Sequence, residues 1–342
     1  MNNLNTSIQD LLAQYGPAVD QLLRKEIGHS NDLIHRIARY HLGWTDESGH
    51  PGKYDRGKGI RSTMCLLACD ATSGDHRPAL PAAAAIDLIH NFTLIHDDIM
   101  DGDVLRRGRP SVWKLWGIEQ AINTGDMLYA LAFVALTKLS NSAMVPHASR
   151  LLSETCVKVV EGQASDIEFE KRLDVSEDEY LTMISQKTAA LISTALELGT
   201  LAAGVIDNTR NKIAVLGKAM GIAYQIRDDM LGTWGDPKMT GKPVGEDLRR
   251  KKKSLPILML QALADTEGNS QIDTFFRTED PTDAQVQGIL ELMQKFRVDD
   301  SVGSLAERYT DHAFRALDDL PTSISRHPGF SALIGHFTTR TV

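Results

Sequence analysis

His96, Asp97, Asp98, Asp101 and Asp103 close an otherwise apolar run, and Arg106, Arg107 and Arg109 follow within a few residues: LIHDDIMDGDVLRRGRP, Leu94 to Pro110. On a helix, Asp97 and Asp101 stand at i and i+4, so both carboxylates face one way, roughly 6 Å apart along the axis. Like charges so placed repel, and they need either open solvent or cations. Oxygen ligands without cysteine suit a hard ion, most simply Mg2+, which keeps several waters and shares substrate phosphates. A solvated acidic helix end is the plainer alternative. The apolar run before the acids and the arginines after them argue against it.

A second acidic pair, Asp228 and Asp229 in AYQIRDDMLG, ends another apolar run. Two such clusters in one helical chain predict that they face each other across a cavity, joined by metal ions and a bridging anion. The cations are distributed to match. Lys58 and Arg61 are i, i+3 in GKGIRS, Arg106 and Arg107 adjoin the first acids, and Lys187 and Thr188 interrupt the apolar ISQKTAALIS. Lys242 and Lys252 lie in the basic stretch after the second acids. Arginine suits bidentate phosphate contacts and lysine acts as a point charge. Lys187 among Ile, Ala and Leu is costly unless it meets an anion or its stem snorkels. His90, seven residues before Asp97, and Gln225, three before Asp228, share faces with the acids. Gln163 and Asp166 form a further i, i+3 polar pair.

Acids for metals, bases for diphosphates and apolar helices between them define a reaction type. A diphosphate is held by Mg2+ and cations so that its C–O bond can break, and the departing charge is stabilised electrostatically, leaving an allylic cation. A second basic set, Lys58, Arg61, His90 and Arg107, is able to hold another diphosphate. The apolar interior houses a hydrocarbon tail.

The elements that must position these groups are helices. Strand signals are scarce, and three-and-four apolar spacing recurs nearly throughout. PAAAAIDLIHNFTLIHDDIMD opens with Pro81 at a first-turn position, and IEQAINTGDMLYALAFVALTKL is apolar nearly all round. Polar, Gly- and Pro-punctuated stretches at 43–59 and 235–256 break the pattern, but no linker divides the chain and no repeat is present. One all-α domain, 1–342, is expected. The 42% hydrophobic and 24% charged content is that of a globular protein, and a net charge of −8 argues against a nucleic-acid partner. Cys65, Cys69 and Cys156 form no CxxC pair, which fits a reducing, cytoplasmic location. No secretory leader and no transmembrane segment are expected.

The chain resembles the trans-isoprenyl diphosphate synthases (polyprenyl synthetases) from about residue 55 to 256. The motifs stand in family order: GKGIR, LIHNFTLIHDDIMD, RRGRP, TGD, GQASDI, QKTAAL, YQIRDD, GKPVGEDL and KKKSLPIL. Each is weak alone, and the ordered set is specific. The resemblance implies an all-α isoprenoid synthase fold of roughly ten or more helices around a deep cavity, a homodimer, and head-to-tail condensation of isopentenyl diphosphate onto an allylic diphosphate. It implies that Asp97 and Asp101, with Asp98 supporting, hold two Mg2+ on the allylic diphosphate and that Asp228 holds a third. Arg106, Lys187 and Lys242, with Lys252 at the edge, would bind that diphosphate. Lys58, Arg61, His90 and Arg107 would bind isopentenyl diphosphate. Lys187, the Thr188 backbone carbonyl and Gln225 would flank the developing cation.

Two departures stand out. The family's GGKRLRP reads RGKGIRS, with Gly59 for a basic residue and Ser62 for proline, and the second DDxxD reads DDMLG, with Gly232 for an acid. For product length, the tail is expected to run down the helix away from Asp97. Thr93 and Phe92 lie about one turn deeper, roughly 6–7.5 Å, with Ile89 a turn below. One aromatic there and an uninserted first motif look like short-chain geranylgeranyl diphosphate synthases, so the expected product is C20, with C15 and C25 as alternatives. A same-fold terpene cyclase lacks a reason for the second basic set. A phosphohydrolase built on His96-Asp97 would want further histidines, and a non-catalytic partner subunit would be expected to lose its acids.

Overall fold

The stretch Ala82–Ala85 is four alanines flanked by Leu80, Pro81 and Ile86. Small, strong helix formers let other helices approach closely, and all four alanines are fully buried. This stretch begins α4 (Leu80–Met100), the helix that carries Phe92 and the first acids. In the computed structural model, which describes residues 6–206, 208–237 and 243–338, α4 is preceded by α1 (Ile8–Ile27), α2 (Leu33–His41) and α3 (Ile60–Ser73). It is followed by α5 (Val112–Trp116), α6 (Ile118–Leu136), α7 (Val145–Glu170), α8 (Glu177–Ile184), α9 (Ala190–Ala202) and α10 (Asn208–Trp234). Further helices, the longest being Val298–Asp318, complete the described residues. Among the described residues the only strands are β1 (Leu105–Arg106) and β2 (Arg109–Pro110), a two-residue antiparallel hairpin. The fold class is all-α, as the periodicity predicts.

The chain forms two compact units. One comprises Met1–Cys156, Thr194–Ala214 and Leu320–Ala332, and the other Val157–Ser193, Val215–Asp319 and Leu333–Val342. In the first, α4 packs against α3 and α6. Ser7 and Asp10 form a capping box at the start of α1, and the Tyr15 hydroxyl donates to Asp70 on α3. By length and composition the helical span Arg77–Met100 would suffice to cross a bilayer, but 61% of its apolar window is buried within the protein, as a core helix requires. In the second unit, Tyr180, Ile184, Ile226, Leu255, Ile257 and Met293 belong to one continuous core.

Candidate active site

α4 runs out at the first acids. Asp97 and Asp101 share a face, and the Asp101 amide donates to the Asp97 carbonyl in the last turn. Carboxylates at a helix C-terminus oppose the macrodipole, so this pair needs cations for electrostatic reasons beyond its own repulsion. Asp98 behaves differently. It is 1% exposed, and its Oδ1 accepts from Arg106 Nε at 2.8 Å and again from Arg106 Nη2. Burial raises its pKa and the arginine bond counters the rise. Asp98, expected beside the metal, is therefore turned inward as the anchor of Arg106. Among the described residues no three His, Cys, Asp or Glu side chains gather into a ready ligand shell. Oxygen donors in an incomplete set fit Mg2+, which completes its shell with waters and phosphate oxygens.

The three arginines have three fates. Arg106 ends β1 and holds Asp98. Arg109 begins β2 and is sandwiched, its guanidinium 3.8 Å from the Tyr40 ring centroid and 4.0 Å from that of Tyr54, while donating to the Tyr40 and Thr45 carbonyls. It clamps the polar 43–59 loop against α2. Arg107 and Gly108 form the two-residue turn between the strands, with φ of 54° and 72°. Positive φ at both positions is the type I′ arrangement, which favours Asn-Gly, so an arginine at the first position carries backbone strain. Its guanidinium lies against Gly57, where any Cβ would crowd Arg107 Nη2. Arg107 Nη1 is buried with no hydrogen-bond partner among the described residues, and burial lowers the guanidinium's pKa.

Beside it, Arg61 Nη1 stands 3.0 Å from His90 Nε2. Burial first, then the charges of Arg61 and Arg107, hold the His90 imidazole well below its ordinary pKa, so it stays neutral and accepts from Arg61. Three of the expected basic set, Arg61, His90 and Arg107, thus gather in the first unit, with Lys58 exposed on the adjoining Gly57–Gly59 segment. His41 joins them unannounced by the sequence: it is buried against Asn91 Oδ1 at 3.2 Å, its pKa pushed down to about 3 by burial and the neighbouring Arg107 and Arg106.

Deeper along α4, the Phe92 ring meets His96 and Tyr129 edge-on at 4.8 and 5.4 Å, and Tyr129 meets Phe133 at 5.1 Å. Thr93 turns its hydroxyl to the His90 carbonyl, and Ile89 is fully buried. His96 is packed, with its Nε2 3.3 Å from the Ile122 carbonyl. A Cβ on Gly125 would overlap its ring, which gives the TGD motif a steric reason, and Asp126 lies 3.8 Å from His96 Nε2.

In the second unit, Lys187 lies in a π turn, Ser185–Ala189, between α8 and α9. Such bulges concentrate at functional sites. Its Nζ meets Asp166 Oδ2 at 2.5 Å, which supplies the anion its apolar setting demands. Thr188 Oγ1 donates to Gln225 Oε1 at 2.8 Å, and Gln225 Nε2 donates to Asp229 Oδ1 at 3.0 Å. Asp229 Oδ2 also accepts from the Tyr180 hydroxyl and from the Leu255 amide, and burial pushes this carboxyl up to about 7. Asp228 is exposed, and Asp229 is the buried hub that fixes Gln225. A Cβ at Gly232 would overlap the Asp247 carboxylate, so the acid missing from the second motif is replaced in space by one from the GEDL motif. Lys252 is exposed, with its amide donating to the Asp247 carbonyl. Lys242 lies outside the described residues.

Sequence reasoning missed the clamp role of Arg109, the hub Asp229 with Tyr180, and the place of Asp247. The doubled Asp in YQIRDD was a signal for Asp229; nothing marked Tyr180.

The sequence profile of the polyprenyl synthetase family matches residues 49–293. The chain is 43% identical over 235 residues to a (2E,6E)-farnesyl diphosphate synthase of Mycobacterium tuberculosis, covering 69% of this chain and 65% of that protein, just under two thirds of its length. It is 36% identical over 325 residues to a geranylgeranyl diphosphate synthase of Sulfolobus acidocaldarius, covering 94% and 98%. The crystal structure of a polyprenyl synthetase from Streptomyces coelicolor A3(2) superposes with a TM-score of 0.90 at 33% identity, covering 97% of this chain and all of that one. Profile, relatives and fold agree with the ordered motifs: the chain belongs to the polyprenyl synthetase family.

Proposed function

We propose that the protein condenses isopentenyl diphosphate head-to-tail onto an allylic diphosphate, in a Mg2+-dependent reaction that yields geranylgeranyl diphosphate. The observation that carries this reading is Arg107. A strained backbone holds a half-buried guanidinium near Arg61 and His90 and against Gly57, next in sequence to Lys58, and no acid of the described residues hydrogen-bonds its Nη1. A cation cluster with one buried, unpartnered guanidinium nitrogen and one exposed lysine suits an anion that arrives from outside, here the isopentenyl diphosphate. A cyclase has no use for that second anion site.

Asp97, Asp101 and Asp228 would hold Mg2+, which when bound neutralises the departing diphosphate. Arg106, fixed by Asp98, would bind the allylic diphosphate together with Lys187, Lys242 and Lys252. As the allylic C–O bond breaks, the developing cation is flanked by the Thr188 carbonyl and by Gln225, whose amide is oriented by Thr188 and Asp229. The double bond of isopentenyl diphosphate forms the new C–C bond, and the released diphosphate accepts the proton that is lost. Phe92, braced by His96 and Tyr129, sets the depth available to the tail, which favours C20 over C15 or C25. The same reading makes the enzyme a cytoplasmic homodimer.

The test is incubation with Mg2+, isopentenyl diphosphate and each of dimethylallyl, geranyl and farnesyl diphosphate, with chromatography before and after phosphatase. Longer diphosphates that phosphatase converts to alcohols are expected. A free cyclic hydrocarbon would point to a cyclase, and no turnover with any primer would reject the catalytic reading.

A further inference from the structure

Where the family motif has proline, this chain has Ser62, in the first turn of α3 and 2% exposed. Proline has no hydroxyl; Ser62 uses its own. Ser62 Oγ stands 2.7 Å from Asp87 Oδ2 on α4 and 2.9 Å from the Gly59 carbonyl oxygen. That carbonyl accepts the Thr63 amide, the first bond of α3, so the single hydroxyl proton of Ser62 is free to go to the closer Asp87; Gly59 is the left-handed N-cap residue at φ 61°. The neighbouring residue, Arg61, meets His90, which follows Asp87 by three positions on α4. Ser62–Asp87 and Arg61–His90 are therefore adjacent rungs between the same two helices, one buried and one at the basic cluster. The same turn of α4 is tied to α2: Asn91 Nδ2 donates to the Asp87 backbone carbonyl at 2.8 Å, and Asn91 Oδ1 faces His41.

Asp87 is a buried carboxylate within electrostatic reach of Arg56 and Arg61. Left without the serine hydroxyl, it would draw a guanidinium inward, and Arg61 is the one shared with the basic cluster. We propose that Ser62 and Asp87 are positioning residues, in which the serine satisfies Asp87 and so keeps Arg61 turned to His90 and to the isopentenyl diphosphate. The proposal rests on the assignment of Lys58, Arg61, His90 and Arg107 to that substrate.

The experiment is calorimetric titration of isopentenyl diphosphate into wild type, Ser62→Ala, Ser62→Cys, Asp87→Asn and the Ser62→Ala/Asp87→Asn double variant, with KM for both substrates and melting temperatures alongside. Ser62→Ala is expected to weaken isopentenyl diphosphate roughly five- to tenfold while leaving the allylic KM unchanged. Ser62→Cys, which keeps the volume but donates weakly, should fall between, and it carries the test if the alanine variant does not fold. In the Asp87→Asn background no buried charge competes for Arg61, so Ser62→Ala should add nothing. Unchanged affinity in Ser62→Ala, equal weakening of both substrates, or an undiminished effect in the double variant would each overturn the proposal. If wild type itself fails to bind isopentenyl diphosphate, the functional reading falls and takes the proposal with it. If wild type binds and the variants match it, the proposal alone fails.

Discussion

The backbone nitrogen of Lys187 sits where a side chain on Gly162 would begin, so α7 can run against the π turn only because residue 162 is glycine. Asp166, one turn further along α7, thereby reaches Lys187 Nζ. Gly162→Ala has to displace backbone rather than the tip of a flexible side chain, and overpacking of this sort costs roughly 1–3 kcal/mol. The variant is expected to melt lower and to lose affinity for the allylic diphosphate more than for isopentenyl diphosphate. Scanning calorimetry and KM for each substrate check this. An unchanged melting temperature would mean that α7 yields freely.

Arg107 predicts opposite signs for stability and binding. A non-glycine residue in the left-handed region costs roughly 1–2 kcal/mol, and asparagine tolerates that region. Arg107→Asn should therefore raise the melting temperature while raising KM for isopentenyl diphosphate at least tenfold. A fall in both stability and binding would assign Arg107 to the scaffold instead.

Phe92→Ala should lengthen the products on chromatography, since it removes a ring held between His96 and Tyr129. The variant leaves Tyr129 and Phe133 in place, so Phe92→Ala/Tyr129→Ala is expected to lengthen them further. An unchanged distribution in both variants would remove Phe92 as the floor of the tail site.

Most helices, the alanine-rich core stretch and the acid and base sets were legible because each rests on local spacing or on ordered motifs. What escaped depends on contacts between residues far apart in the chain. Arg109 cannot be told from Arg106 until Tyr40 and Tyr54 fold over it. The bond that ties Asp98 to Arg106 is invisible until the hairpin brings Arg106 back to the end of α4. The type I′ turn at Arg107-Gly108 breaks the residue preference that would have announced it. The motif GQASDI carries a glycine whose reason, the Lys187 backbone, lies in another motif.

His41 makes stability sensitive to acid. Its folded pKa is about 3, depressed by burial and then by Arg107 and Arg106, against an ordinary 6.5. The unfolded chain therefore binds a proton below 6.5 that the folded chain refuses, and stability contributed by the neutral ring is lost as pH falls through this window. Between pH 7 and pH 5 the loss is about 2 kcal/mol. His41→Gln, which cannot take that proton, should lose correspondingly less stability than wild type over the same interval in urea unfolding. Equal losses would show that the ring gains a compensating partner on protonation.

Gly232 gives a test in which the ordinary rule should reverse. Glycine within a helix costs roughly 1 kcal/mol relative to alanine, so Gly232→Ala would normally stabilise α10. Here the added methyl would overlap Asp247 Oδ2 and Cγ, and the carboxylate must leave the place it occupies. Gly232→Ala is therefore expected to lower the melting temperature, and Gly232→Asp, which restores the motif's missing acid, to lower it further by setting two carboxylates in one space. In an Asp247→Gly background the space is vacant, and Gly232→Ala should regain its stabilising sign. If it stabilises the wild-type background as well, Asp247 swings aside at no cost, and the glycine is not there to accommodate it.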